Sequence, residues 1–215
     1  MSKYEYEVIR TKHRNGFSYL VVHTWCLFPE GEAMQTVTLA ERCRAVRLLV
    51  LDVDGVLTDG GIVYGTGGLE VKRFHVRDGA GIKLWRLAGR RSALITGRTS
   101  PVVDARAAEQ GIDFVFQGAL EKLPAYQRLL HEAAIEPSAV CYVGDDEPDL
   151  PLLRNCGLAV AVADGCREAR AAAHYVTRTP GGCGAVRETI ELILRCQGEW
   201  GRLIERSRNG ASGAA

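Results

Sequence analysis

The sequence lacks several features that would define a specialised class of protein. Its 215 residues contain no apolar run of the ~20 residues that a membrane span requires. The 27 basic and 26 acidic side chains give a net charge of only +1, so the chain has no general attraction to nucleic acid or to membranes. Apolar residues at 47% and charged residues at 25% are ordinary values, which exclude disordered, collagen-like and coiled-coil chains.

The seven cysteines include no pair with CxxC spacing. An odd number without that spacing argues against a disulfide framework and against a zinc knuckle. It favours a reducing compartment, so we predict a cytoplasmic protein. We interpret Cys141 and Cys156 as small buried apolar residues.

Composition divides the chain into three regions: an N-terminal extension at 1–35, a folded domain at 36–200 and a tail at 201–215. The extension has the outline of a signal peptide, but Glu5, Glu7 and His23 interrupt its basic and apolar parts. Because a complete α/β pattern begins just after Met34, we interpret the extension as either non-native or disordered. The tail is rich in small and polar residues, which predicts disorder.

From residue 46 onward, short apolar runs alternate with helical patterns. Continuous apolarity indicates strands that are buried on both faces, as in a parallel sheet. The predicted strands are 46–51, 92–95, 114–116, 140–143, 158–162 and 175–177. The predicted helices are 82–87, 101–109, 121–134 and a last helix with a stripe of Val186, Ile190 and Leu194. This alternation predicts an α/β fold with a doubly wound, Rossmann-like parallel sheet.

One segment interrupts the alternation of strands and helices. Residues 62–64 and 71–76 flank the glycine-rich stretch 65–68, which is typical of a β-hairpin. The hairpin follows the first strand directly, so we expect it to form a flap beside the end of that strand.

Polar residues follow three of the predicted strands, at the carboxyl edge where α/β sheets bind ligands. The first strand leads into Asp52-Val53-Asp54-Gly55. A single Asp at a strand end usually caps the next turn. Two Asp residues with one residue between them share one side of the chain and are a more specific signal. Asp52 is therefore a candidate nucleophile.

The second strand leads into Thr96-Gly97-Arg98, whose hydroxyl, backbone N–H groups and guanidinium suit phosphate oxygens. Taken alone, Thr96 would be a helix N-cap. Lys122 begins a predicted helix and would offset negative charge in the crevice. Taken alone, Lys122 would be a solvated surface residue.

The fourth strand leads into Gly144-Asp145, with Asp149 close behind. Together with Asp52 and Asp54, these residues would place four carboxylates in one crevice, where they repel each other unless a cation is bound. Hard oxygen ligands favour a hard divalent ion, and Mg²⁺ is the expected one.

The order Asp52/Asp54, Thr96, Lys122, Asp145 resembles the four motifs of the haloacid dehalogenase superfamily. Longer segments resemble the 3-deoxy-D-manno-octulosonate 8-phosphate phosphatases of lipopolysaccharide sugar synthesis. These segments are DVDGVLTD at 52–59, FHVRDGAGIK at 74–83, ITGR at 95–98, YVGDDEPDLP at 142–151 and YVTRTPGGCGAVRE at 175–188. The resemblance covers about 36–200. It implies a haloacid dehalogenase-type domain without a cap, Mg²⁺ dependence and a homotetramer in which a neighbour's hairpin and C-terminal segment close the site.

The resemblance also implies two-step hydrolysis of a phosphomonoester. Asp52 would attack phosphorus and form an aspartyl-phosphate intermediate. Asp54 would protonate the leaving hydroxyl and then deprotonate the attacking water, and we expect neighbouring carboxylates to keep its proton in place. Mg²⁺ would be held by the Asp52 side chain, the Asp54 carbonyl and Asp145. Thr96 and Lys122 would stabilise the equatorial oxygens.

Substrate contacts are implied at Asp54, Lys122 and four further residues, namely His75, Lys83, Arg98 and Arg106. Several cations suit a sugar acid phosphate, the small-molecule partner that we expect, with no nucleic acid and no membrane. Other interpretations stay open: Lys83 and Arg106 as solvated helix faces, and His75 at the end of a hairpin strand as a packed neutral side chain. Cys183 stands where relatives often carry Arg, which leaves open how a neighbour's tail meets the substrate.

Other functions remain as alternatives. A phosphatase for a nine-carbon sialic-acid-type 9-phosphate would use the same chemistry. The same core could also serve as a non-catalytic oligomerisation module, although all of its catalytic residues are present here. A phosphoacceptor signalling domain is disfavoured, because Asp54 would make dephosphorylation fast.

Overall fold

The structure is a computed structural model that describes residues 6–13, 16–23 and 37–210. The chain divides into two compact units, residues 1–36 and 37–215. In the first unit, β1 (Tyr6–His13) and β2 (Gly16–His23) form an antiparallel pair. These strands belong to the predicted N-terminal extension. Its other residues, including Cys26, lie outside the described residues, as does the end of the predicted tail from residue 211 onward.

The second unit alternates strands with helices. Its strands are β3 (Leu48–Leu51), β4 (Val63–Tyr64), β5 (Glu70–Val71), β6 (Arg91–Ile95), β7 (Phe114–Phe116), β8 (Val140–Gly144), β9 (Leu158–Ala161) and β10 (Tyr175–Val176). Its helices are α1 (Leu39–Ala45), α2 (Val76–Leu87), α3 (Pro101–Gln110), α4 (Lys122–Ala133), α5 (Leu150–Leu153), α6 (Arg167–Ala172), α7 (Ala185–Cys196) and α8 (Trp200–Gly210). Among the described residues, none of the helices combines the length and the apolarity needed to cross a membrane.

Six strands form one parallel sheet in the order β10-β9-β8-β3-β6-β7. The chain runs outward from β3 through β6 and β7, then crosses back to β8 on the other side of β3. The doubly wound fold predicted from the sequence is therefore confirmed. The reversal beside β3 creates the crevice at the carboxyl edge where such sheets bind ligands.

The central strand β3 shows why continuous apolar runs predicted the sheet. All of its residues are fully buried, and alternate side chains enter two different cores. Leu49 and Leu51 pack in the core that contains residues of α2, α7 and α8. Leu48 and Val50 pack in the core that contains residues of α4 and α5. The sheet is thus covered by helices on both faces and holds its carboxyl edge rigidly.

The predicted hairpin is present, with Val63 opposite Val71 and Tyr64 opposite Glu70. Its second arm is shorter than predicted, because His75 caps α2 by accepting a hydrogen bond at Nδ1 from the Arg77 N–H at 3.3 Å. The helix therefore starts at Val76 and not at residue 82. Within residues 37–210 the hairpin is the only addition to the alternating pattern, and no cap domain is inserted there.

The prediction of a disordered tail from residue 201 is wrong for the described part, because α8 extends to Gly210. Leu203 is only 1% exposed and belongs to the core beside α7. The guanidinium groups of Arg187 and Arg195 lie 4.7 and 5.3 Å from the ring centroid of Trp200. Hydrophobic burial and these cation–π contacts outweigh the polar composition of the segment.

Candidate active site

Asp52 lies at the carboxyl end of β3, in the crevice between β8 and β6. Its N–H donates to the Val143 carbonyl at 3.0 Å, which continues the parallel ladder by one residue. Beyond it the chain turns tightly, and the N–H groups of Val56, Leu57 and Thr58 all approach the Val53 carbonyl at 2.9–3.3 Å. This turn fixes Asp52 and Asp54 at the mouth of the crevice.

Lys122 joins Asp52 to Asp149. It is the first residue of α4, and its side chain is buried although it carries a charge. Lys122 Nζ lies 2.8 Å from Asp52 Oδ1 and 2.6 Å from Asp149 Oδ1. Asp149 also accepts hydrogen bonds from the Tyr142 hydroxyl at 2.5 Å and from the N–H groups of Asp145 and Asp146 at 2.8 and 3.2 Å. Asp149 is therefore fully engaged as the anchor of Lys122.

Asp145, unlike Asp149, has a carboxylate oxygen without a described hydrogen-bond partner. Its Oδ1 is buried and receives no hydrogen bond from the described residues. Ligand atoms of Asp52, Asp145 and Asp149 lie within 4.8 Å of one another, which is compact enough to hold one metal ion. The turn glycine Gly55 (φ +92°) permits this approach, since a Cβ there would lie 2.1 Å from Asp145 Oδ2. Mg²⁺ prefers hard oxygen ligands such as carboxylates. The Asp145 oxygen that no described residue hydrogen-bonds is available to bind it.

The electrostatics of this cluster favour cation binding. Burial raises the pKa of Asp145 to about 8, and the nearby carboxylates of Asp52 and Asp149 add to the effect. Burial also raises the pKa of Asp52 to about 6, against the opposing pull of Lys122. For Lys122, the two carboxylates outweigh the burial that would lower its pKa, so its pKa is raised and it stays charged. A divalent cation would bring both Asp pKa values down again.

Asp54 lies in a different environment from the one expected. We expected carboxylates around it, but its described ion-pair partners are two cations, Lys72 and Arg98. Lys72, which directly follows β5, forms an ion pair with Asp54 Oδ1. Arg98 Nε lies 3.9 Å from the other oxygen, Oδ2. The period of two along the DxD segment does not bring Asp54 into the buried cluster, because the chain turns at Gly55.

The hairpin holds Arg98 as well. Arg98 Nη2 donates to the Tyr64 hydroxyl at 2.9 Å and to Glu70 Oε1 at 3.2 Å. Lys72 Nζ lies 3.5 Å from the same Glu70 oxygen. The Ser100 hydroxyl and these two cations keep the pKa of Glu70 below its ordinary value. The hairpin is thus a flap beside the candidate site, as its position in the sequence predicted.

The remaining candidates are less closely associated. Thr96 is buried at the end of β6, and its N–H donates to the Phe116 carbonyl at 3.0 Å. Arg106 pairs with Glu109 at 2.9 Å and its guanidinium lies 5.3 Å from the ring centroid of Phe74. Lys83 is exposed on α2. Lys83, Arg106 and His75 make no described hydrogen bond or ion pair with the Asp52 cluster or with Asp54.

Three contributors were missed by the sequence analysis. Tyr142 carried a usable signal, because a tyrosine in a buried strand needs a hydrogen-bond partner. Lys72 and Glu70 carried none, because charged residues on a short hairpin strand are typical of a solvated surface. Only the folded hairpin shows that the Lys72 side chain is 1% exposed.

The C-terminal glycine-rich loop packs against the Asp54 turn in the same chain. The Gly182 N–H donates to the Val56 carbonyl at 2.9 Å, and the Gly181 N–H donates to Asp164 Oδ1 at 2.8 Å. A Cβ at Gly181 would lie 1.7 Å from the Gly55 carbonyl oxygen. Glycine is therefore required where the backbones meet. Cys183 is exposed in this loop.

A doubly wound sheet with an Asp nucleophile candidate, a buried lysine and a carboxylate cluster defines the haloacid dehalogenase-like hydrolases. A family model of haloacid dehalogenase-like hydrolases matches residues 94–189. The 3-deoxy-D-manno-octulosonate 8-phosphate phosphatase KdsC of Escherichia coli K12 is 49% identical over 154 residues, covering 72% of this chain and 82% of the relative. The chain therefore belongs to the 3-deoxy-D-manno-octulosonate 8-phosphate phosphatase family.

Solved structures agree with this assignment. The enzyme of this family from Moraxella catarrhalis, crystallised in complex with magnesium ion, phosphate ion and KDO, is 42% identical, with a TM-score of 0.76. The match covers 78% of this chain and 96% of that one. The cobalt-bound Haemophilus influenzae phosphatase is 41% identical with a TM-score of 0.71, covering 73% and 92% of the two chains.

Proposed function

We propose that this protein is a Mg²⁺-dependent phosphatase that hydrolyses 3-deoxy-D-manno-octulosonate 8-phosphate to the free sugar acid and phosphate, in lipopolysaccharide sugar biosynthesis. The observation that carries the proposal is the buried cluster in which Lys122 Nζ lies 2.8 Å from Asp52 Oδ1, beside an Asp145 oxygen that no described residue hydrogen-bonds. The printed names of the relatives support the substrate, and the Moraxella catarrhalis complex supports the metal.

The residues present fit a magnesium ion. Asp52 and Asp145 would hold it through their carboxylates, and the Asp54 backbone carbonyl would complete the protein's share. Asp149 is excluded from a direct role because its oxygens already accept four hydrogen bonds. When bound, Mg²⁺ neutralises charge on the phosphoryl oxygens and keeps the nucleophile ionised.

In the first step, an Asp52 oxygen attacks phosphorus while the bond from phosphorus to the sugar oxygen breaks. Asp54 gives its proton to that leaving oxygen, so the sugar departs as a neutral hydroxyl. In the second step, Asp54 takes a proton from water, and the resulting hydroxide attacks phosphorus while the bond from phosphorus to the Asp52 oxygen breaks, which releases phosphate and restores the Asp52 carboxylate. Lys122 and Thr96 stabilise the phosphoryl oxygens throughout.

The cations around the crevice recognise the sugar acid. Arg98 is best placed, because the hairpin holds its guanidinium near the Asp54 carboxyl. Substrate contacts of Lys83, Arg106 and His75 rest on the family resemblance, with Lys83 on α2, Arg106 on α3 and His75 at the N-terminus of α2. The structure supports these three contacts less well than that of Arg98, and Arg106 already forms an ion pair with Glu109.

The test is phosphate release with Mg²⁺ from a panel of substrates. The panel contains the eight-carbon acid 8-phosphate, a nine-carbon acid 9-phosphate, a hexose 6-phosphate and an aryl phosphate. Asp52→Asn removes the nucleophile, and Asp146→Asn is the matched control on an exposed neighbour of the cluster. We expect preference for the eight-carbon substrate, abolished by Asp52→Asn alone.

Other outcomes of the panel have defined meanings. Preference for the nine-carbon acid would keep the chemistry and change the substrate. No release from any substrate by a folded protein that binds Mg²⁺ would contradict the enzyme and favour an oligomerisation module.

We further propose a homotetramer in which the hairpin forms part of the interface. Its apolar side chains are unusually exposed, with Tyr64 at 66%, Leu69 at 64% and Val63 at 54%. Exposed apolar residues of this density favour burial by a second copy. Light scattering should give four chains for the wild type and fewer for Val63→Ser/Leu69→Ser, whereas a monomeric wild type would contradict the proposal.

The domain boundaries and the compartment are also proposals. We assign catalysis to a domain beginning near residue 36, so a protein starting at Met34 should match the full chain in kcat/KM. A loss of activity in that protein would show that the extension contributes. We place the protein in the cytoplasm, a proposal supported by the free thiols of all its described cysteines.

A further inference from the structure

Lys72 lies in an exposed hairpin, but its charged side chain is buried. The preceding Val71 is 47% exposed and the following Arg73 side chain is 79% exposed, yet the Lys72 side chain is 1% exposed. The alternation of β5 thus continues for two residues beyond its end, with Lys72 directed toward the Asp54 turn and its two neighbours outward. Burying an ammonium group without partners costs several kcal/mol. The groups that pair with Lys72 therefore indicate why its charge is buried.

Both described partners of Lys72 are carboxylates of the candidate site. Asp54 is paired through Oδ1, and Glu70 Oε1 lies 3.5 Å away. Glu70 also receives Arg98 at 3.2 Å. Two carboxyl groups and two cations thus form a quartet, defined here as Asp54, Glu70, Lys72 and Arg98.

The quartet distinguishes the two oxygens of Asp54. Oδ1 is paired with Lys72, whereas the only described cation near Oδ2 is Arg98, with its Nε at 3.9 Å. An ammonium group donates only, so Oδ1 faces Lys72 as an acceptor, and a proton carried by the Asp54 carboxyl lies on Oδ2. Lys72 thereby selects Oδ2 as the Asp54 oxygen that can exchange a proton.

We propose that Lys72 is a positioning residue that orients Asp54 for proton transfer to the leaving group. This inference rests on the proposed function, in which Asp54 is the acid and base. Lys72 itself does not touch the reacting atoms. A misplaced carboxyl cannot protonate the leaving oxygen, so the loss should be greatest where the leaving group needs that proton most.

The experiment measures kcat/KM for aryl phosphates whose leaving phenols differ in acidity: 2,4-dinitrophenyl, 4-nitrophenyl and phenyl phosphate. The value kcat/KM reports steps up to departure of the phenol, so it isolates the first proton transfer. Lys72→Met removes the charge at similar length. Arg73→Met is the matched control, since Arg73 is the adjacent exposed residue and pairs only with Asp59 among the described residues.

For Lys72→Met we expect a fall of roughly 100-fold with phenyl phosphate and less than about 10-fold with 2,4-dinitrophenyl phosphate, a steeper dependence on leaving-group acidity. Lys72→Arg should lie between Lys72→Met and the wild type, and Arg73→Met should follow the wild type. In an Asp54→Asn background, Lys72→Met should add less than about 3-fold, because both changes disable one function. Should Lys72→Met fail to fold, the Lys72→Arg slope alone decides.

An equal fall with all three phosphates would overturn the inference and leave Lys72 with a structural or binding role. Mg²⁺ affinity, measured by calorimetry, should be unchanged in Lys72→Met. A failure of the proposed function has a different signature, since the wild type itself would then release no phosphate from any substrate, and the inference would fall with it.

Discussion

Replacing Asp145 by Asn should stabilise the metal-free protein while abolishing its activity. The folded metal-free protein keeps the Asp145 proton up to about pH 8, because burial and two neighbouring carboxylates oppose ionisation. The unfolded chain releases that proton near the ordinary value of 3.8. The native state therefore binds the extra proton between these values, and the free energy of unfolding falls as the pH rises from about 4 to about 8.

The size of the effect follows from that interval. Each pKa unit corresponds to about 1.4 kcal/mol, so at pH 7 the penalty approaches about 4 kcal/mol. Solvent screening of a carboxyl that is only partly buried reduces it, which leaves about 2 kcal/mol. Asn has the same shape and no ionisable proton, so it removes the penalty. For a domain of this size, we expect the melting temperature to rise by roughly 4–8 °C.

The assay is calorimetric unfolding in EDTA at pH 4.5 and pH 7, with Asp146→Asn as the matched control. Asp146 is exposed and its side chain caps the turn at Asp149, a role that Asn fills equally well, so its change should stay within about 0.5 kcal/mol of the wild type. The gain from Asp145→Asn should be present at pH 7 and small at pH 4.5. Saturating Mg²⁺ should stabilise the wild type more than Asp145→Asn. An equal gain at both pH values, or none at pH 7, would refute the electrostatic reasoning.

Three further substitutions test the packing around the site. Tyr142→Phe removes the 2.5 Å hydrogen bond to Asp149 and should cost about 1–2 kcal/mol in urea unfolding and lower kcat; unchanged values would contradict the anchoring role. Gly182→Ala (φ +61°) would place a Cβ 2.4 Å from the Asp59 nitrogen and should reduce phosphate release, whereas Gly198→Ala (φ +73°), with open space around it, should cost only about 1 kcal/mol of stability. Leu203→Ala should cost about 2–5 kcal/mol in the same unfolding assay and Glu205→Ala under about 0.5; equal effects would place α8 outside the cooperative fold.

The central sheet could be predicted from the sequence because its signal is local. A strand buried on both faces is apolar at every position, and β3 and β8 are fully buried along their whole length. The end of such a strand is also local, so Asp52, Thr96 and Asp145 could be placed at one edge. Lys122 needed the family resemblance, because a lysine at a helix start has no distinctive pattern.

The start of α2 could not be predicted because its reasons are tertiary. Its first turns include Gly79 and Gly81, which weaken any helical signal. A Cβ at Gly79 would lie 2.6 Å from Arg106 Nη2, and one at Gly81 would lie 3.2 Å from the Arg187 Cα. These glycines allow close packing with α3 and α7, and nothing within the segment itself records that packing. The same holds for Lys72, whose burial depends on a turn more than ten residues away.

The candidate site has two halves, the Asp52 cluster and the quartet around Asp54, and they differ in charge. This difference sets the order in which the metal and the substrate bind. Among the described residues, Lys122 is the only cation paired with the carboxylates of Asp52, Asp145 and Asp149, so this half carries an excess of negative charge when ionised. The quartet around Asp54 carries no such excess, because its two carboxyl groups face two cations. A phosphate dianion is repelled by the first half until a divalent cation occupies it, whereas the second half admits the sugar without such help. The metal must therefore bind before the phosphoryl group or together with it, and the quartet leaves Asp54 oriented in either case.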